Sequence, residues 1–266
     1  MYLAVIKQTL REAVLQPALL FAIIIEVAFL GLVGFGVSFH FEQGTLVSAE
    51  LLGKVIDETI AAVFIRDLAV SVTNILTGLL MFLFIVGSSF VFPSMLRDPL
   101  LGITLTKPIT RTSLFLSKFS AFLLLVFTTT ILFAAAVSLA LFLRSDGHIS
   151  GSLIPSSLFF CCEFVVVFAF CSFLALIVEN PMGVALLGTA FYFLLGPLLA
   201  GGHIGRSSLI TIVSLFFPPI GKLSLATKEI LLASGPAEFT LLVYSLLYVI
   251  VLLTLAAVIF SRRELT

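Results

Sequence analysis

Two acids, Glu26 and Glu163, each stand inside a long apolar stretch, FAIIIEVAFLGL and LFFCCEFVVVFAF. An isolated carboxylate at the centre of a bilayer costs roughly 2.5–3.5 kcal/mol on insertion scales, so it usually faces a partner or a cavity. The functional reading makes Glu26 or Glu163 part of a substrate path or a proton relay. In the plainer reading each acid is protonated, or hydrogen-bonded to a neighbouring span, or near an interface. The plainer reading is favoured, because no Lys or Arg within the spans offers a counter-charge. Asn74 and Thr77 add two polar groups about one helical turn apart. They suit interhelical hydrogen bonds, and Asn74 could join the two acids in lining a path.

Other chemistry finds no residues to carry it. There is no G-x-x-x-x-G-K phosphate loop, no H-E-x-x-H and no aspartate-rich magnesium motif, so no catalytic site is expected. His40, His148 and His203 are scattered over loops and span ends, with no metal-ligand spacing. Cys161, Cys162 and Cys171 share one apolar run without C-x-x-C spacing and read as packing residues. No metal or cofactor bound by this chain is expected.

The elements that must position the acids are membrane spans. The chain of 266 residues is 61% hydrophobic and 11% charged, against roughly 25% charged in soluble domains. Too little polar surface remains to cover a water-soluble globule, and a formal net charge of zero gives no basic surface for nucleic acid. Apolar runs near 17–39, 68–92, 119–143, 155–178, 183–200 and 240–260 predict an all-α polytopic membrane protein with six transmembrane helices. The fifth run is the shortest and contains Gly196 and Pro197, which predict a kink or an early end. Leu209–Phe217 is too short to cross and runs into Pro218 and Pro219, so it is read as re-entrant.

Residues 1–16 place Leu3, Ile6, Leu10, Ala13 and Val14 on one arc, with Lys7, Gln8, Arg11 and Glu12 outside it. That pattern predicts an interfacial helix turning into the bilayer at Pro17. Outer-side segments are expected over 40–67 and 201–239. The first would hold a surface helix over Leu46–Arg66, and the second a short helix, LATKEILLA. All of this forms one domain, 1–266.

With six spans both termini share a side. Eight basic residues fall on that side (Lys7, Arg11, Arg97, Lys107, Arg111, Lys118, Arg262 and Arg263) against six on the other (Lys54, Arg66, Arg144, Arg206, Lys222 and Lys228). The positive-inside rule then puts both termini in the cytoplasm. The 93–118 connection is locally basic and broken by Pro93, Pro99 and Pro108. A short element around Leu100–Thr106 can lie along the membrane surface, with Lys107, Arg111 and Lys118 facing water, lipid phosphate or an acidic groove.

This loop resembles that of the membrane subunits of type-2 ABC exporters. Many of those carry L-S-K-P-I-S-R followed by a Lys; here it stands as Leu105-Thr106-Lys107-Pro108-Ile109-Thr110-Arg111, with Lys118 following. The N-terminal helix is similar to the family's elbow helix. The short Glu179-Asn180-Pro181 turn and the Phe217-Pro218-Pro219 segment also fit. The long outer stretch from His40 to Asp67 departs from many such permeases.

The resemblance implies a permease in the cytoplasmic membrane. A second copy or a related permease would complete the core in membrane lipid. Two copies of a separate ABC ATPase would supply ATP and Mg. Arg97, Asp98, Leu100, Leu101, Ile103, Lys107, Pro108 and Arg111 would form the coupling element, with Glu179 as a further contact. An outer-side accessory protein could dock on the acidic 42–67 stretch. An ATP-independent channel or secondary transporter using Glu26 or Glu163 is the competing expectation, and a non-transporting scaffold is the third.

Overall fold

The computed structural model describes residues 2–42, 45–51, 53–56, 75–93, 110–144, 153–197, 218, 220–231 and 239–262. Five helices are long and apolar enough to cross a membrane, which makes the chain an integral membrane protein. They are α2 (Pro17–Gly36), α3 (Ile75–Pro93), α4 (Arg111–Arg144), α5 (Leu153–Val178) and α8 (Phe239–Arg262). Three shorter helices accompany them: α1 (Tyr2–Val14), α6 (Pro181–Ala190), continued by a wider π turn over Phe191–Leu195, and α7 (Ile220–Leu231). The expectations for Leu209–Phe217, Asn74, His148, His203 and loop residues 97–109 lie outside the described residues.

Phenylalanine contacts set the order of the bundle. Phe92 at the end of α3 packs on Phe115 near the start of α4, with ring centroids 4.8 Å apart, and on Phe168 of α5 at 5.8 Å. Phe115 also meets Phe260 near the end of α8 at 5.9 Å. Leu19 at the start of α2 lies against Gly87 of α3. The starts of α2 and α4 and the ends of α3, α5 and α8 therefore share one end of the bundle. At the opposite end Arg144, last in α4, donates from Nε (2.8 Å) and from Nη2 to Gly34 O of α2. We call the first the proximal end and the second the distal end. α5 is the most buried of the five long helices and forms the axis on which the others pack.

α1 sits at the proximal end, where Glu12 Oε2 is 4.0 Å from Lys118 Nζ of α4. Its amphipathic reading holds in part: Lys7, Gln8, Arg11 and Glu12 are exposed, Ile6 and Leu10 are half-buried, and Thr9 is buried. Val14, on the apolar arc, is exposed on the protein surface, as a lipid-facing side chain of an interfacial helix would be.

Two sequence expectations need correction. The outer surface helix expected from Leu46 is instead strand over its described part. β1 (Val37–Glu42), β2 (Thr45–Leu51) and β3 (Lys54–Ile56) form an antiparallel meander in the order β1-β2-β3. Val47 and Leu51, four apart, fit a strand as well as a helix, since both repeats bring them to one face. Gly53, at φ 79°, lies in the turn between β2 and β3. The helical bundle thus carries a small sheet at the end of α2.

Next, α4 begins at Arg111 and runs 34 residues, about 51 Å at 1.5 Å per residue. Arg111 through Lys118 are therefore helix rather than loop, and Thr110 Oγ1 accepts from Ser113 N at 3.3 Å as its cap.

The fifth apolar run is described in part: α6 and its π turn cover Pro181–Leu195, and the π turn stands just before Gly196 and Pro197, where the sequence predicts a kink or an early end. The Glu179-Asn180 turn reverses the chain, so α6 runs back along α5. Phe191 stacks on Phe170 with centroids 3.8 Å apart. A Cβ on Gly188 would stand 2.6 Å from Cys171 Sγ. Gly196 lies against Ile220 at the start of α7, with a built Cβ 3.4 Å from Ile220 Cγ2. α7 runs along α5 until Ser156 Oγ donates to Thr227 O at 3.0 Å. The described part of the LATKEILLA helix is thus packed on the distal part of α5.

Candidate functional site

The buried polar chemistry gathers where α6 and α7 pack on α5. Glu163 of α5 is 1% exposed, the most deeply buried charged residue among those described. The π turn widens α6 by one residue at this level, and Tyr192 stands on that turn. The Tyr192 hydroxyl lies close to the Glu163 carboxyl group and to Ser224 of α7. Lys228, one turn further along α7, lies within electrostatic reach of the same carboxyl group. The acid on α5 is thereby linked to α6 through Tyr192, and Tyr192 in turn adjoins Ser224 on α7. Glu163 Oε1 has no hydrogen-bond partner.

Lys228 lies outside the apolar runs, yet it is close enough to act electrostatically on Glu163. The sequence placed it on an outer loop because Lys228 and Glu229 look like the solvated face of a surface helix. Glu229 is indeed exposed and Lys228 half-buried. Tyr192, Ser224 and Lys228 were all missed. The available signal was the pair of breaks, Gly196-Pro197 and Pro218-Pro219, which bracket the junction.

Glu26 is the second buried acid, 6% exposed at the middle of α2, and its Oε1 also lacks a partner. It lies within electrostatic reach of Cys161, which in turn adjoins Thr130 of α4. Cys161 and Glu163 are two residues apart on α5, so the two acids flank that helix at nearly one depth. They do not form one site: Glu26 belongs to the α2–α4–α5 contact and Glu163 to the α5–α6–α7 contact. Among the described residues no group of three His, Cys, Asp or Glu could hold a metal ion.

Of the residues expected to couple to a partner, Arg111 and Glu179 are described. Both stand at the proximal end, at the start of α4 and just past the end of α5. Glu179 has φ 57°, a left-handed backbone that disfavours any residue with a Cβ. Asn180 then caps α6, its side chain accepting from Met182 N at 3.1 Å, with Pro181 as the first helical residue.

No protein-family model matches this chain, and no curated protein matches it significantly.

Proposed function

We propose that the chain is the permease subunit of an ATP-driven type-2 ABC exporter, coupled to a separate ATPase through the loop between α3 and α4. One observation carries this reading. The Leu105–Arg111 motif joins two apolar helices at the proximal end, the end that also holds α1 and the exposed Glu179 turn. An elbow helix, a coupling loop and a second contact turn at one end are what such a subunit needs. In this reading six crossings bring both termini to the cytoplasm, α6 and α7 together make the fifth, and a second permease copy or a relative completes the core. Leu100, Leu101 and Ile103 supply buried contact, while Arg97, Lys107 and Arg111 steer and orient the ATPase. ATP-driven closure of two ATPases then shifts the permease between inward-open and outward-open states.

The test is purification from native membranes in mild detergent, comparing wild type with Lys107→Glu/Arg111→Glu. Wild type is expected to bring down a protein with an ATP-binding phosphate loop, and the variant to lose most of it. Wild type purifying without any such protein would overturn the reading.

A second reading has its own observation. A buried acid with a lysine in reach, beside two short helices, is also how secondary transporters build substrate sites. Flux through the purified chain alone in liposomes, abolished by Glu163→Gln, would favour it.

A further inference from the structure

α1 carries a stripe of side chains that the bundle leaves uncovered. The helix packs on α4 and buries Thr9. Lys7 and Arg11 each stand two residues from Thr9, about 200° around a 3.6-residue helix, and so lie on its far side. Both are exposed. Leu15 extends the stripe by one more turn: its N–H donates to Arg11 O at 3.4 Å, and its side chain is 66% exposed. Val14 is exposed beside it.

The charges of α1 are sorted between two sides. Glu12, the one acid in the helix, accepts from Gln8 Nε2 at 2.9 Å and lies 4.0 Å from Lys118 Nζ of α4. Its charge is therefore answered from the bundle. Lys7 and Arg11 make no ion pair among the described residues. One turn apart, their Cβ atoms stand about 5–6 Å from each other, a spacing at which an ammonium and a guanidinium can share one phosphate. The stripe leads into the lipid, because α2 follows at Pro17 and crosses the membrane with Leu20, Phe21, Ile24 and Val27 exposed on one face. An acidic protein surface would match the two cations but not the apolar strip beneath them. A phospholipid with an anionic headgroup matches both.

We propose that Lys7 and Arg11 hold the headgroup phosphate of an anionic phospholipid at the proximal end, with its acyl chains lying along Leu15 and the exposed face of α2. The site selects lipid by charge, since a zwitterionic headgroup brings a cation of its own to the same place. It is built from α1 and α2 alone and stands whether or not an ATPase seats at this end.

The test reconstitutes the full chain in vesicles of equal parts phosphatidylcholine and phosphatidylglycerol, extracts it in mild detergent and counts the retained lipids by mass spectrometry. Each cation at an anionic headgroup is worth about five-fold in binding. Wild type is therefore expected to retain phosphatidylglycerol over phosphatidylcholine by roughly ten-fold or more, and Lys7→Gln/Arg11→Gln to retain the two alike. The exchange Lys7→Arg/Arg11→Lys keeps both charges and is expected to keep the preference. Arg262→Gln removes an exposed cation at the same end but outside the stripe, and is expected to change nothing. No preference in wild type, or an undiminished one in Lys7→Gln/Arg11→Gln, would overturn the proposal. An equal loss in Arg262→Gln would overturn it too, by assigning the preference to the diffuse charge of the whole proximal end.

Discussion

At the scale of single residues, the turn between α5 and α6 shows how backbone and function can pull apart. A left-handed backbone costs a residue with a Cβ about 1–2 kcal/mol relative to glycine, yet Glu179 occupies that position at φ 57°. Strain kept at an exposed turn points to a use for the side chain. Glu179→Gly is therefore expected to relieve about 1 kcal/mol of backbone strain while losing the side chain's own interaction, and on the permease reading to weaken retention of the ATPase. Full retention by a variant that thermal denaturation shows to be folded would count against this account of the turn. The neighbouring Asn180→Ala loses a cap and should cost about 1 kcal/mol, read in the same assay. The two intramembrane acids were legible from sequence because a charge inside an apolar run is conspicuous. Their partners were not: a hydroxyl or a lysine on a half-exposed helix carries no such contrast.

Elements were legible where hydropathy alone decides them. The long apolar runs became α2, α3, α4, α5 and α8, and Pro17 does mark the turn from α1 into α2. Legibility failed where two periods coincide, as in β2, and where tertiary packing recruits a helix of ordinary amphipathic pattern, as in α7. The register of α6 on α5 depends on close approach at Gly188. A Cβ there would sit 2.6 Å from Cys171 Sγ and 3.0 Å from Ile85 Cγ2. Gly188→Ala is expected to destabilise the bundle by about 1–3 kcal/mol through overpacking. Adding Cys171→Ala should recover part of the loss by removing the sulfur. A double variant no more stable than Gly188→Ala alone would show that the contact with Cys171 is not what sets the spacing.

For the whole molecule, the ring contacts at the proximal end place the last turn of α8 beside the first turns of α4, and α1 lies at that same end. Tags at the two termini are therefore expected to be labelled by an impermeant reagent from the same side of the membrane. Labelling from opposite sides would break the even number of crossings on which the permease reading rests. What composition could never supply is the packing that lays both α6 and α7 on α5 and brings Tyr192 to Glu163.

The central claim is that the loop between α3 and α4 is the seat of an ATPase. Its most direct test is a photo-crosslinking amino acid placed at Ile103 in living cells, with Val47 of β2 as the control position. An adduct at Ile103 with a protein bearing an ATP-binding phosphate loop, absent at Val47, is the predicted result. No such adduct from Ile103, in cells where the chain is folded and inserted, would contradict it.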